Sequence, residues 1–207
     1  MSNYKILSEK IKQAFEGFCF YEEIDYCIDI DIELTDQNKL KNRHFGIDSF
    51  PSKMKLNSPY KILDVFWDLE KNKKNYLMQE DKFLRALLLT MNCSNDIVIS
   101  CGSSYEDHKK YFKQVLKRDE LKMLDKIKHN VFDLNSIDID YKVIGALVKL
   151  ALRERNNLAV YMLDLEIAFY IDGLYSDVYL GENGNLDIVE YICNVEGLYI
   201  RDRYIEE

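Results

Sequence analysis

Hydrophobic and polar residues alternate most regularly near the start of the chain. Ile24, Tyr26, Ile28, Ile30, Ile32 and Leu34 are interleaved with Asp25, Cys27, Asp29, Asp31 and Glu33. A period of two sustained over residues 24–34 predicts one strand with a buried and a wet face, as in an antiparallel or mixed sheet. Its wet face would carry Asp25, Asp29, Asp31 and Glu33 in a row. A return strand over residues 43–50, following Lys39, Lys41 and Arg43, would set opposite charges beside them. Ahead of it, Ile6, Leu7, Ile11, Ala14 and Phe15 have helical spacing, which predicts an amphipathic helix over residues 4–15 closed by Gly17.

Farther on, Ser58-Pro59 is a helix-start pair, with serine as cap and proline in the first turn. A second helix is expected over residues 80–91, on Phe83, Leu84, Leu87 and Leu88. The β-branched run Ile97-Val98-Ile99, ended by Gly102, reads as a buried strand over residues 96–101. Helices are expected over residues 105–118 and 120–129. Residues 140–155 and 157–171 are apolar nearly all round and predict an antiparallel helix hairpin at the centre of the core, interrupted by Asp164, Glu166 and Asp172. Asn183-Gly184 marks a tight turn, and its flanks at residues 175–180 and 186–192 suit strands or helices alike. These elements describe an α+β, helix-dominated fold, with a small antiparallel or mixed sheet in the N-terminal half packed on a C-terminal helical bundle. A single domain over residues 1–207 is expected, with an α/β portion over about 1–104 and a mainly helical portion over about 105–207.

Composition adds that the chain is ordinary globular material: of 207 residues, 47% are hydrophobic and 31% charged, with 2 Pro and 8 Gly. No apolar run approaches the roughly 20 residues that cross a bilayer. The lysine-bearing start lacks the continuous apolar stretch of a signal peptide. Cys19, Cys27, Cys93, Cys101 and Cys193 form no C-x-x-C pair and are odd in number, the pattern of reduced thiols in a cytoplasm.

Charge changes the picture more, because the net −8 is gathered into blocks. Residues 17–36 hold seven acids and no base, and residues 37–61 reverse the sign with six bases against Asp48. Residues 105–129 are net +3, and residues 160–207 hold eleven acids against Arg201 and Arg203. Acidic blocks repel phosphate, so nucleic acid is not the expected partner; a basic protein is. Seven of the fifteen tyrosines fall in the last block, and tyrosines stand beside carboxylates both there and at Tyr21-Glu22-Glu23-Ile24-Asp25-Tyr26. Rigid tyrosines anchor interfaces, and carboxylates steer and pair with Lys and Arg.

Catalytic motifs are sparse. His44, His108 and His129 lack metal-ligand spacing, and neither a G-x-S-x-G elbow nor a glycine-rich nucleotide loop occurs. The stretch Asp29-Ile30-Asp31-Ile32-Glu33-Leu34-Thr35-Asp36 resembles the first motif of the haloacid-dehalogenase-type phosphatases, a strand followed by D-x-D-G-T-L-x-D. The resemblance implies a nucleophilic Asp29 and an acid–base Asp31 beside a magnesium ion. It also implies a phosphate-holding role for Ile97-Val98-Ile99-Ser100 and magnesium-binding roles for Asp172 and Asp177. The family's Gly-Thr is Ile32-Glu33 here, and its strand is buried on both faces, whereas this one alternates with acids.

The leading expectation is therefore a non-enzymatic cytoplasmic inhibitor without cofactor or metal, most concretely an immunity-type protein that covers the substrate site of a basic nuclease toxin. Asp177, Glu182, Asp187 and Glu190 would meet the toxin's bases, with Tyr175 and Tyr179 as anchors. The face Asp25, Asp29, Asp31 and Glu33 is the alternative surface. The phosphatase is the second expectation, and a non-catalytic scaffold or regulatory subunit the third.

Overall fold

The computed structural model describes residues 3–50, 72–102, 112–136 and 141–203. The elements, in chain order, are α1 (Asn3–Ala14), β1 (Cys19–Glu23), β2 (Cys27–Asp31), α2 (Gln37–Leu40), β3 (His44–Asp48) and α3 (Lys73–Met91). There follow β4 (Ile97–Cys101), α4 (Arg118–Leu124), β5 (Val131–Asp133), a 3₁₀ turn (Leu134–Ser136) and α5 (Tyr141–Leu152). The chain ends with β6 (Leu158–Met162), β7 (Ile167–Ile171), β8 (Ser176–Leu180), α6 (Asp187–Glu196) and β9 (Tyr199–Asp202). The helix expected after Ser58 lies outside the described residues, as does the first half of the one expected over residues 105–118; its described half, residues 112–117, is mainly turn.

Seven strands form one antiparallel sheet in the order β5-β4-β6-β7-β8-β3-β9, and β1 pairs with β2 in a separate hairpin. This corrects the expected architecture. Five of the seven strands, β5 to β9, come from the C-terminal part of the chain, so that part is the sheet rather than a helical bundle. The central error lies at residues 157–171, expected as a helix and found as the β6–β7 hairpin. Leu158, Val160, Met162, Ile167, Phe169 and Ile171 face one core, while Ala159, Tyr161 and Ala168 face the other. A strand covered on both sides is as uniformly apolar as a buried helix. Two of the interrupting acids mark the turn between the strands, where Glu166 adopts φ +51° and the Asp164 carboxylate accepts the Asn95 N–H at 2.8 Å; Asp172 follows the end of β7.

One face of the sheet carries α3, α5 and α6 over the larger core. The other carries α1 and the β1–β2 hairpin, with Leu7, Ile11, Phe15 and Ile28 seated on Val98, Ala159, Tyr161 and Ala168. Small and large residues alternate across the strands on this face, Ala159 opposite Tyr170 and Tyr161 opposite Ala168. That alternation leaves room for α1, whose Phe15 meets the Tyr161 ring edge-on at 5.7 Å.

The eleven-residue strand expected over residues 24–34 is broken at both ends. Residues 24–26 form the hairpin turn, with Asp25 at φ +61°. Asp31 Oδ1 accepts the N–H groups of Glu33 and Leu34 at 3.0 Å each, which curls the chain out of the strand. The return strand is present as β3, but it pairs with β8 and β9 rather than with β2. The undecided flanks of Asn183-Gly184 resolve as one strand, β8, and one helix, α6. Gly197 closes α6 in a left-handed conformation at φ +69°, a geometry that glycine adopts without steric cost.

Candidate functional site

The β1–β2 hairpin is fixed to the sheet by side chains that reach its backbone. Ser100 Oγ accepts the Ile28 N–H at 2.9 Å, the Tyr161 hydroxyl donates to the Ile28 carbonyl at 2.8 Å, and the Tyr4 hydroxyl donates to the Cys27 carbonyl at 3.1 Å. All three are buried, so each replaces a water that the hairpin backbone would otherwise need. Glu22 is held from α1 by Ser8 and Lys12; partial burial opposes ionisation, but these two hydrogen bonds win and keep its carboxyl below the usual range. Two isolated strands would be marginal in water; this hairpin is a preformed ledge.

Its carboxylates do not stand in a row. Asp25 and Glu33 are exposed, in turns at opposite ends, and Asp31 is engaged with its own turn. Asp29 is largely buried, and burial pushes its carboxyl from 3.8 up to about 6, against the opposing pull of the Cys27 thiol that hydrogen-bonds it. Its electrostatic neighbours are thiols and phenols rather than cations. Burial, followed by the Asp29 charge, raises Cys27 to about 11 and Cys101 to about 12, and the same order of causes holds Tyr161 well above its usual range. Among the described residues no ion pair reaches Asp29.

What the hairpin shows to solvent is apolar as well as acidic. Tyr21 is 54% exposed, Ile24 74%, Ile32 40% and Leu34 72%. Exposed Glu23, Asp25 and Glu33 lie between them and Asp36 follows, and no Lys or Arg occurs over residues 17–36. Sequence periodicity places Ile24, Ile32 and Leu34 on a buried face because the turns at either end leave the alternation intact; Tyr21 alone carries a sequence signal, its acidic neighbours.

The C-terminal set is dispersed. Asp177 and Tyr179 lie on the hairpin side of the sheet, and Asp177 is already paired there. His44 Nε2 is 2.8 Å from Asp177 Oδ1, and Arg203 donates to the same oxygen at 2.9 and 3.1 Å. Tyr179 is buried, its ring stacked on His44 at 4.5 Å. Tyr175 is covered by the Arg203 guanidinium, 4.5 Å above its ring, and burial and then Asp177 raise its phenol. Asp187 and Glu190 stand in the first turn of α6, over the opposite core, and Glu182 is exposed near Arg43. No single partner surface joins Tyr175, Asp177 and Tyr179 to Asp187 and Glu190.

Of the residues singled out by the phosphatase resemblance, Asp172 is exposed and the others have structural roles. Asp29 and Asp31 sit on an antiparallel hairpin strand, the Ser100 hydroxyl accepts Ile28 N–H, and Asp177 holds His44 and Arg203. Among the described residues no group of three or more His, Cys, Asp and Glu is placed to hold a metal ion, and no helix is long and apolar enough to cross a membrane. No family model, no curated protein and no solved structure matches the chain, so the functional reading rests on this geometry.

Proposed function

We propose that the protein is an inhibitor that docks a basic protein through the β1–β2 hairpin, most concretely an immunity-type protein neutralising a nuclease toxin. One observation carries this reading: four exposed large apolar side chains, Tyr21, Ile24, Ile32 and Leu34, interleaved with Glu23, Asp25 and Glu33 and followed by Asp36, in a stretch without a base. Fully burying such side chains is worth roughly 1.5–3 kcal/mol each. The carboxylates around them raise the association rate with a cationic surface and set its orientation. The tethers from Tyr4, Ser100 and Tyr161 order the ledge before the partner arrives, which lowers the entropic cost of binding.

The test is co-expression with the product of the reading frame immediately upstream. Rescue of growth, with a stoichiometric complex that weakens as salt is raised, is the expected result. Toxicity that persists despite soluble protein, or a complex indifferent to Asp25→Lys and Glu33→Lys together, would remove the reading.

A further inference from the structure

The opposite side of the molecule carries a second exposed apolar feature that the hairpin does not use. α3 and α6 lie antiparallel, as Arg85 bonds Glu196 near one end and Leu89 and Cys93 meet Ile188, Tyr191 and Ile192 near the other. Between them runs a groove of about 510 Å³ with an almost wholly apolar lining. On α6, Val189 and Cys193 point into the core, whereas Tyr191 and Val195 are 72% and 66% exposed. A helix that needed only a wet outer face would carry polar residues there.

The groove is also polarised in charge. At the N-terminal end of α6 stand Asp187 and Glu190, neither of which forms an ion pair among the described residues. At the C-terminal end Lys82 reaches the Gly197 carbonyl at 3.4 Å, and Arg85, half exposed, binds Glu196 at 2.8 Å. One end is thus net negative, the other net positive, and the middle apolar.

We propose that this groove is an interface between two copies of the chain, related by a twofold axis that crosses α6 at right angles. Such an axis runs the two α6 helices antiparallel. It sets Asp187 and Glu190 of each copy against Lys82 and Arg85 of the other, with Tyr191 and Val195 meeting in the middle. The surface is self-complementary, as an isologous contact requires. A uniformly basic partner helix would match only one end of the groove. The hairpin lies on the other face of the sheet and stays free in the dimer.

Sedimentation velocity of the full chain across a concentration series, at low and high salt, tests this. The expected result is a reversible dimer, with Tyr191→Asp weakening it about tenfold or more. Glu190→Lys and Lys82→Glu should each weaken self-association, and an equimolar mixture of the two should restore it, because both cross-interface contacts are then opposite in sign. Maleimide labelling of Cys93, followed by peptide mapping, should slow as the wild-type concentration rises. A wild type that stays monomeric throughout overturns the proposal, as does a dimer indifferent to Tyr191→Asp and to the charge exchange. Uptake of an apolar dye by a strictly monomeric protein also overturns it, and assigns the groove to a small apolar ligand.

Discussion

Asp29→Asn should stabilise the protein at neutral pH. Burial raises the Asp29 carboxyl from 3.8 to about 6, so the fold favours its protonated form. The sign follows directly. Between the two values the folded state binds more protons than the unfolded state, so the Asp29 contribution is fully favourable below about pH 4 and is lost as pH rises through about 6. At 1.36 kcal/mol per pH unit, the ceiling on the loss is ~3 kcal/mol above pH 7. The side chain keeps some solvent contact, and the asparagine amide must itself be desolvated, so a gain of ~1–2 kcal/mol is the working expectation. Asparagine keeps an oxygen that can accept from the Cys27 thiol and adds no volume. Urea unfolding of both proteins from pH 4 to pH 8 measures the effect. The difference between them isolates Asp29 from carboxyls that the fold holds low, such as Glu22 and Asp164. It should be near zero at pH 4, grow through pH 6 and then level off. A variant less stable than wild type at pH 7.5, or a difference that does not change with pH, would refute the reasoning.

Other perturbations separate structural from functional roles. The Glu80 carboxylate is buried and holds Arg153 through two hydrogen bonds, Nη2 to Oε1 at 2.8 Å and Nε to Oε2. Glu80→Ala should therefore cost ~3–5 kcal/mol in urea unfolding, because it strands a guanidinium. Tyr161→Phe removes the hydroxyl on the Ile28 carbonyl, and should cost ~1–2 kcal/mol and speed amide exchange in the hairpin but not in α6. The Asp29→Asn pair can also be assayed on p-nitrophenyl phosphate with Mg²⁺; turnover abolished by the substitution would favour the phosphatase over the inhibitor.

Two elements were legible for different reasons: α1 is packed on one side only, whereas β4 is buried on both faces but is short, β-branched and ended by Gly102. The helix expected over residues 4–15 is α1, and the run before Gly102 is β4, since an amphipathic stripe and a short β-branched run each admit one reading. Residues 157–171 were not legible, because burial on both faces erases the period that distinguishes strand from helix. The pairing of β3 with β8 was equally hidden: His44 meets Tyr179 across 135 residues, and nothing local announces that register. At the site, the acidity of residues 17–36 was plain, but its geometry was not. Asp31 bends the chain with its own carboxylate and Asp25 takes a left-handed turn, and these two local events expose Ile24, Ile32 and Leu34.

The most direct measurement is the affinity, by calorimetry at low and high salt, of a basic nuclease domain whose toxicity the chain suppresses in co-expression, for wild type and for the Asp25→Lys, Glu33→Lys double variant. The account predicts that the double variant binds about a hundredfold or more weakly, a loss of ~3 kcal/mol, with a shallower salt dependence and a urea midpoint lowered only slightly, because lysine suits the left-handed backbone at residue 25 less well than aspartate. Equal affinities with the same salt dependence would contradict it.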